Sequence, residues 1–278
     1  MDLRPSPIAG RWYPAEAVEL AETVDRYLDE AQAEAIPGET VAIVAPHAGL
    51  PYSGPVAAYA YRALRGASFE IAAILCPSHY HDDGALMTSE HTAYATPLGE
   101  VRVDHGALAA LQLALPDEPI VEIRRDREHA IEIELPFLQR VLAPGFALLP
   151  LMLRDQSERL TRALGEALTQ VLRGRRALVV ASSDLSHYHP QAVARKLDTE
   201  MLKQIEAFDP AGVLAAQESG QGFACGYGAI AAGLWAARAL GATHSRVVRY
   251  ATSGDMVGDY SSVVGYGAAV MWRDLNYL

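Results

Sequence analysis

The sequence predicts a single α/β domain in which a mostly parallel or mixed central sheet is flanked by helices. Apolar runs of five or six residues, rich in Val, Ile and Leu, alternate along the chain with longer segments of helical periodicity. The runs are apolar throughout, which is typical of strands covered on both faces. We find no Ser/Gly-rich linker and no internal repeat, so the prediction is one domain over residues 1–278.

The apolar runs predict four buried strands. Pro46 and Pro77 stop the first two, because proline has no N–H to donate to a neighbouring strand. The four predicted strands cover residues 40–45, 71–76, 146–150 and 177–181. Two later strands, at residues 246–251 and 263–272, are expected to close the sheet.

Helices are predicted between these strands. One begins at Gly54 and Pro55, because proline suits the first helical turn. The other predicted helices cover residues 15–34, 105–113, 129–142, 157–172, 192–208 and 227–240. Residues 89–103 are expected to form an extended excursion or hairpin that turns at residues 97–99.

The composition excludes several classes of protein. A formal net charge of -11 argues against binding to a nucleic-acid backbone. Two cysteines cannot form a disulfide framework, and the N-terminus lacks the pattern of a signal peptide, so a cytoplasmic location is expected. The most apolar stretch, residues 229–240, is shorter than the roughly 20 residues of a membrane span and carries Arg238, so it predicts a buried helix and no membrane association.

Histidines follow three of the predicted strands within a few residues. They are His47, His79 and His187. Ligands and catalytic groups gather beyond the carboxyl ends of strands in open α/β sheets, so these imidazoles could meet in one crevice. Asp184, three residues before His187, could orient an imidazole or raise its basicity.

Cys225 lies among glycines just before an apolar helix. A helix N-terminus lowers the pKa of a thiol and favours the thiolate that binds metals or attacks substrates. The alternative is a buried structural cysteine, and both interpretations stay open. Cys76 lies inside an apolar strand and is interpreted as structural.

His129 opens a predicted helix and shares one face of it with Glu132, three residues on. The pair could support a site or exchange protons. The alternative is a solvated amphipathic helix.

Several motifs in one order resemble the Memo family. They are Ala9-Gly10-Arg11-Trp12-Tyr13-Pro14, Pro46-His47-Ala48-Gly49, Tyr52-Ser53-Gly54, Pro77-Ser78-His79, Glu128-His129-Ala130-Ile131-Glu132, Ser182-Ser183-Asp184-Leu185-Ser186-His187-Tyr188, Cys225-Gly226, Thr252-Ser253-Gly254-Asp255 and Val263-Val264-Gly265-Tyr266. The resemblance spans residues 5–272. Within the family, the chain resembles the type B proteins of the prokaryotic AmmeMemoRadiSam system.

This resemblance implies a fold similar to class III extradiol dioxygenases, in which two histidines and a carboxylate bind Fe(II). Carried over by motif, His47 and His79 would be the imidazole ligands, and Cys225 would replace the carboxylate. His187 with Asp184 would form the acid–base pair. Because a thiolate also suits other metals, Cu and Zn are alternatives to Fe(II). Prokaryotic members further imply radical-SAM and AMMECR-type protein partners.

Three functions fit these residues. The first is a non-haem iron oxidoreductase acting on a small aromatic substrate. The second is a non-enzymatic iron- or copper-binding protein or adaptor that acts through partners. The third is a zinc hydrolase in which His187 or Glu132 is the base.

Overall fold

A mixed sheet runs through the protein, and its centre is built from the apolar runs of the sequence. The computed structural model describes residues 2–80 and 83–275. The strands are β1 (Leu3–Arg4), β2 (Gly38–Ala45), β3 (Ile71–Pro77), β4 (Leu86–Ser89), β5 (Ala93–Thr96), β6 (Gly99–Arg102), β7 (Ile120–Ile123), β8 (Ala147–Leu153), β9 (Ala177–Ser182), β10 (His187–His189), β11 (His244–Thr252) and β12 (Val263–Asp274). The main sheet has the order β10-β12-β2-β9-β3-β8-β4-β7, with β11 also paired to β12, and β1, β5 and β6 form a separate small sheet.

Helices flank the main sheet. They are α1 (Ala17–Glu30), α2 (Leu50–Arg62), α3 (His105–Ala114), α4 (His129–Glu132), α5 (Leu135–Val141), α6 (Glu158–Leu172), α7 (Gln191–Glu206), α8 (Pro210–Glu218), α9 (Tyr227–Ala239) and α10 (Ser253–Val257). Helix α9 packs on β2, β3 and β9 with α6 beside it, and α2 packs on β2 and β12 beside α1 and α5. The predicted single α/β domain is therefore confirmed.

The middle of the sheet positions the segments that carry histidines. Strands β2, β9 and β3 are parallel neighbours, with Ala45 opposite Ser182 and Leu75 opposite Ala181. Their side chains are almost all buried, as apolar runs covered on both faces require. Because the three strands end at one edge, the residues that follow them are delivered to the same region of the molecule.

Most predicted elements are found within a few residues of the expected bounds. The strand expected at residues 146–150 continues to Leu153, and the expected hairpin at residues 89–103 is formed by β5 and β6. The sequence pattern does not predict the short strands β1, β4, β7 and β10, or helix α8. Strands of two to four residues are too short to show a period.

Two helix predictions are wrong, and proline explains both. The helix expected over residues 129–142 is divided into α4 and α5, because Pro136 has no N–H to donate to the carbonyl of Glu132. Helix α2 begins at Leu50, with Pro51 in its first turn, so Pro55 lies inside the helix.

Within residues 2–80 and 83–275, no helix has both the length and the apolar character that a bilayer crossing requires.

A buried cation fixes the N-terminal strand. Arg4 is fully buried, and its Nε atom lies 2.6 Å from Asp126 Oδ2, while its Nη1 atom lies 2.5 Å from Glu132 Oε2. Its Nη2 atom also donates to the carbonyl of Glu128. Arg4 therefore ties the start of the chain to the segment that begins α4.

Replacing Arg4 is expected to destabilise the protein strongly. Arg4→Met leaves two carboxylates, Asp126 and Glu132, buried without their cation, and breaking a buried ion pair in this way costs about 3–5 kcal/mol. The control Arg65→Met removes an exposed ion pair with Asp29, for which less than about 1 kcal/mol is expected. Urea unfolding at pH 7 measures both, and equal losses would contradict the role of Arg4.

Candidate metal site

Three histidines converge beside the ends of the central strands. His47 follows β2, His79 follows β3, and His129 is the first residue of α4. One ring nitrogen of each lies within 4.8 Å of those of the other two. The ring centroids are 5.1 Å apart for His47 and His79, 5.5 Å for His47 and His129, and 4.5 Å for His79 and His129. The arrangement is a cluster that could hold a metal ion.

Hydrogen bonds at Nδ1 orient two of these imidazoles. His47 Nδ1 lies 3.0 Å from the hydroxyl oxygen of Ser182, and His79 Nδ1 lies 2.8 Å from Glu128 Oε1. When Nδ1 carries the proton of such a bond, Nε2 is the nitrogen that can bind a metal.

His129 differs from the other two. Its Nδ1 atom is buried and has no hydrogen-bond partner, although Glu128 Oε1 lies 3.3 Å away without hydrogen-bond geometry. A buried polar atom left unpaired normally costs free energy, so its presence in a histidine cluster is a reason to look for a ligand.

Burial keeps two of the imidazoles neutral. Desolvation, followed by the neighbouring imidazoles, holds the pKa of His47 well below its usual range. Desolvation also lowers the pKa of His129 to about 4, against the opposing charge of Glu128. Both rings therefore carry a free lone pair at neutral pH, as metal ligation requires.

Cys225 contacts the cluster through His47. Its Sγ atom lies 3.2 Å from His47 Nε2, and Cys225 is partly exposed. Burial, followed by the charge of Asp184, raises the pKa of the Cys225 thiol well above its ordinary value. This direction is opposite to the one that a helix N-terminus favours, and its cause is desolvation of the thiol. Whether Cys225 ligates a metal stays a prediction.

Asp184 and His187 lie near the cluster but have different partners. Asp184 Oδ1 accepts from the backbone N–H groups of His47, at 2.8 Å, and Ala48, at 3.3 Å. His187 Nδ1 donates to the carbonyl of Leu185 at 2.8 Å. Asp184 therefore positions the loop that carries His47. The hydrogen bond to the carbonyl of Leu185 orients the His187 ring.

Glu132 is buried away from the imidazoles. It pairs with Arg4, and its Oε1 atom accepts from Tyr13 at 2.6 Å and from Ser6. The shared helical face with His129 therefore does not bring Glu132 into the cluster. Its role is to anchor the N-terminal segment.

A buried chain of polar groups extends behind His47. The Ser182 hydroxyl oxygen lies 2.7 Å from the carbonyl of Ala130 and 2.8 Å from Glu134 Oε1. Tyr61 donates to the other carboxyl oxygen of Glu134 at 2.7 Å. A hydroxyl has a single hydrogen. If that hydrogen goes to Ala130 and Glu134 is protonated, Ser182 accepts from both Glu134 and His47, and every group is satisfied.

The electrostatics agree with a protonated Glu134. Burial raises its pKa to about 8, although the hydrogen bond from Tyr61 opposes the shift. The predictions from sequence include neither Glu134 nor Glu128 nor Ser182. The sequence signal for Ser182 is that it directly follows the apolar run at residues 177–181.

Aromatic rings surround the histidines. Trp12 lies 4.2 Å from the His129 ring and Tyr80 lies 5.7 Å from it, while Phe223 lies 5.9 Å from the ring of His187. These rings form flat, apolar walls beside the site.

Fold and site together define an α/β protein with a histidine cluster at the ends of its parallel strands. Residues 4–270 match the sequence profile of the family described as "Memo-like protein", and the chain belongs to that family. A MEMO1 family protein of Nitrosopumilus maritimus is 34% identical over 273 residues, covering 96% of this chain and 98% of that protein. One from Methanopyrus kandleri is 36% identical over 282 residues, with coverage of 97% and 99%. One from Methanothermobacter thermautotrophicus is 37% identical over 227 residues, with coverage of 81% and 82%.

Because Glu134 holds a proton in the native protein, the variant Glu134→Gln is expected to gain stability over the wild type as the pH rises. Between its ordinary pKa of 4.5 and its native pKa of about 8, the native protein holds a proton that the unfolded chain releases. Stability of the wild type therefore falls by about 1.4 kcal/mol per pH unit in this interval, relative to Glu134→Gln, which mimics the protonated acid. Denaturant unfolding of both proteins from pH 5 to pH 8 measures the difference. Parallel stability curves would show that Glu134 is ionised in the native protein.

Proposed function

We propose that the chain is a metal-binding protein whose ion is held by His47, His79 and Cys225, with His129 as a further ligand. The observation that carries the proposal is the convergence of three imidazole nitrogens within 4.8 Å of one another. Fe(II) is the proposed metal, with Cu and Zn as alternatives, because imidazole and thiolate together suit all three.

The spacing of one pair of donor atoms fits a common ion. Two ligands at about 2.1 and 2.3 Å from a metal, at angles of 90–110°, lie roughly 3.1–3.6 Å apart. The separation of 3.2 Å between Cys225 Sγ and His47 Nε2 falls in this range. The unpaired Nδ1 of His129 supports the addition of this residue to the ligand set.

The surroundings of the site favour an oxidoreductase that acts on a small aromatic molecule, in a fold related to class III extradiol dioxygenases. A redox-active ion such as Fe(II) would supply the chemistry with dioxygen. Trp12 and Tyr80 offer flat apolar surfaces on which a planar ring can stack. His187 is oriented through Nδ1, which leaves Nε2 to take or give a proton.

The alternatives differ in what they require of the same residues. A zinc hydrolase needs a general base, and Glu132 is unsuited because it is fully buried in its pair with Arg4. A non-enzymatic metal-binding protein or adaptor needs only the ligands, so turnover of catechols by the iron-loaded protein separates it from the enzyme. The radical-SAM and AMMECR-type partners stay predictions.

Metal titration of ligand variants tests the site. Protein purified without a His tag or chelators is expected to bind one Fe(II) per chain under anaerobic conditions. His47→Ala and Cys225→Ser should each weaken binding by more than the roughly 10–100-fold typical of losing an outer-shell partner. Cys76→Ser, at a buried cysteine in β3, is the matched control and should bind as the wild type does. Equal affinity of Cys225→Ser and the wild type would remove Cys225 from the ligand set.

A second test separates ligation from proton transfer. His187→Ala is expected to keep the metal content of the wild type and to lose any turnover of an aromatic substrate, because Nε2 of His187 serves the proton and not the metal. Elemental analysis and single-turnover measurements on the same preparation give both quantities. Loss of metal in this variant would make His187 a ligand.

A further inference from the structure

Glu128 is a fully buried carboxylate that lies between two histidines of the cluster. Its Oε2 atom accepts from the backbone N–H of His79 at 2.7 Å, and its Oε1 atom lies 2.8 Å from His79 Nδ1. The same Oε1 atom accepts from the backbone N–H groups of His129, at 3.0 Å, and Ala130, at 3.1 Å. One side chain thus bonds to the loop after β3 and to the first turn of α4.

These contacts are those of an ionised acid. Three of the four neighbouring groups are backbone N–H donors, which cannot accept a hydrogen. A carboxylate in this state requires a hydrogen on His79 Nδ1, and that leaves the lone pair on Nε2.

We propose that Glu128 is a positioning residue of the metal site, which holds His79 in the Nδ1–H tautomer and fixes the start of α4 so that His129 lies against His79. The proposal rests on the proposed metal-binding function. A histidine ligand commonly donates its second N–H to a carboxylate, which fixes the ring and increases its basicity as a ligand.

The two strand-end histidines are therefore supported differently. His47 Nδ1 bonds to the hydroxyl of Ser182, a neutral group, whereas His79 Nδ1 bonds to an anion. A charge-assisted hydrogen bond is roughly twice as strong as a neutral one. Of the two, His79 is thus the ligand whose electron donation to a metal depends more on its hydrogen-bond partner.

The tautomer of His79 tests the proposal without any metal. Long-range ¹H–¹⁵N spectra of histidine-labelled wild type at alkaline pH, with His79 assigned by its loss in His79→Phe, should show the Nδ1–H form. In Glu128→Gln the amide offers one acceptor oxygen where the carboxylate offers two. Its NH₂ group must therefore face either His79 Nδ1 or backbone N–H donors. An NH₂ group that faces Nδ1 donates to it, so the fraction of His79 that carries a hydrogen on Nδ1 should fall.

Metal affinity gives the second readout. Zn(II) titration against a chromophoric chelator should show binding to Glu128→Gln about 10–100-fold weaker than to the wild type. Glu132→Gln is the matched control, because Glu132 is equally buried in α4 but bonds to Arg4, Ser6 and Tyr13. It should keep the wild-type tautomer and affinity even where its stability is reduced.

The outcomes separate this role from metal binding itself. An Nε2–H tautomer of His79 in the wild type, or a Glu128→Gln protein that matches the wild type in both readouts, would overturn the role of Glu128. Equal effects in Glu132→Gln would also overturn it, since they would reflect general destabilisation. A wild type that shows the Nδ1–H form but binds neither Zn(II) nor Fe(II) would overturn the proposed function alone.

Discussion

Buried negative charge is the constraint on which the rest of this site depends. Five carboxyl groups in and beside the segments that carry the histidines are at most 6% exposed: Asp126, Glu128, Glu132, Glu134 and Asp184. An ionised carboxylate is costly to bury unless it is paired or hydrogen-bonded. The protein meets this requirement in three ways. Arg4 pairs with Asp126 and Glu132, N–H donors surround Glu128, and Glu134 keeps its proton. Burial raises the pKa of Asp184 to about 7, against the backbone N–H groups of His47 and Ala48. The bonds of Glu128 and Asp184 also fix segments that carry a histidine.

The parallel strands β2, β9 and β3 bring together the segments that these carboxyl groups hold in place. Strand β9 lies between β2 and β3, so the residues after all three strands meet at one edge of the sheet. His47 and His79 come from the outer two strands, while Ser182 and Asp184, at and just beyond the end of the middle strand, bond to the His47 imidazole and to its backbone. Strand order therefore decides which residue can support which ligand.

The sequence allows part of this to be predicted, because strand ends have a local signature. His47 and His79 follow apolar runs that stop at a proline, and the shared edge of a parallel sheet brings them together. His129 has no such signature. Its place depends on Glu128 and on the pairing of Arg4 with residues more than 120 positions away, and no local period encodes contacts of that range. The neighbours of Cys225 in sequence fit both a helix-end thiolate and a buried thiol, because burial depends on contacts that the local sequence does not encode.

The N-terminal segment links the stability of the fold to the shape of the site. The Trp12 ring packs against the His129 ring at a tilt of 49°, and the Trp12 carbonyl accepts the N–H of Leu50 at the start of α2. Tyr13 bonds to Glu132, the carboxylate that also pairs with Arg4. The residues that compensate the buried charge thus belong to the same segment that forms one wall of the site. Without this segment, His47 and His79 would still follow their strands, but His129 would lose its aromatic neighbour and Glu132 its cation. The surroundings of His129 are therefore a product of contacts between the N-terminal segment and residues 126–132 rather than of the sheet alone.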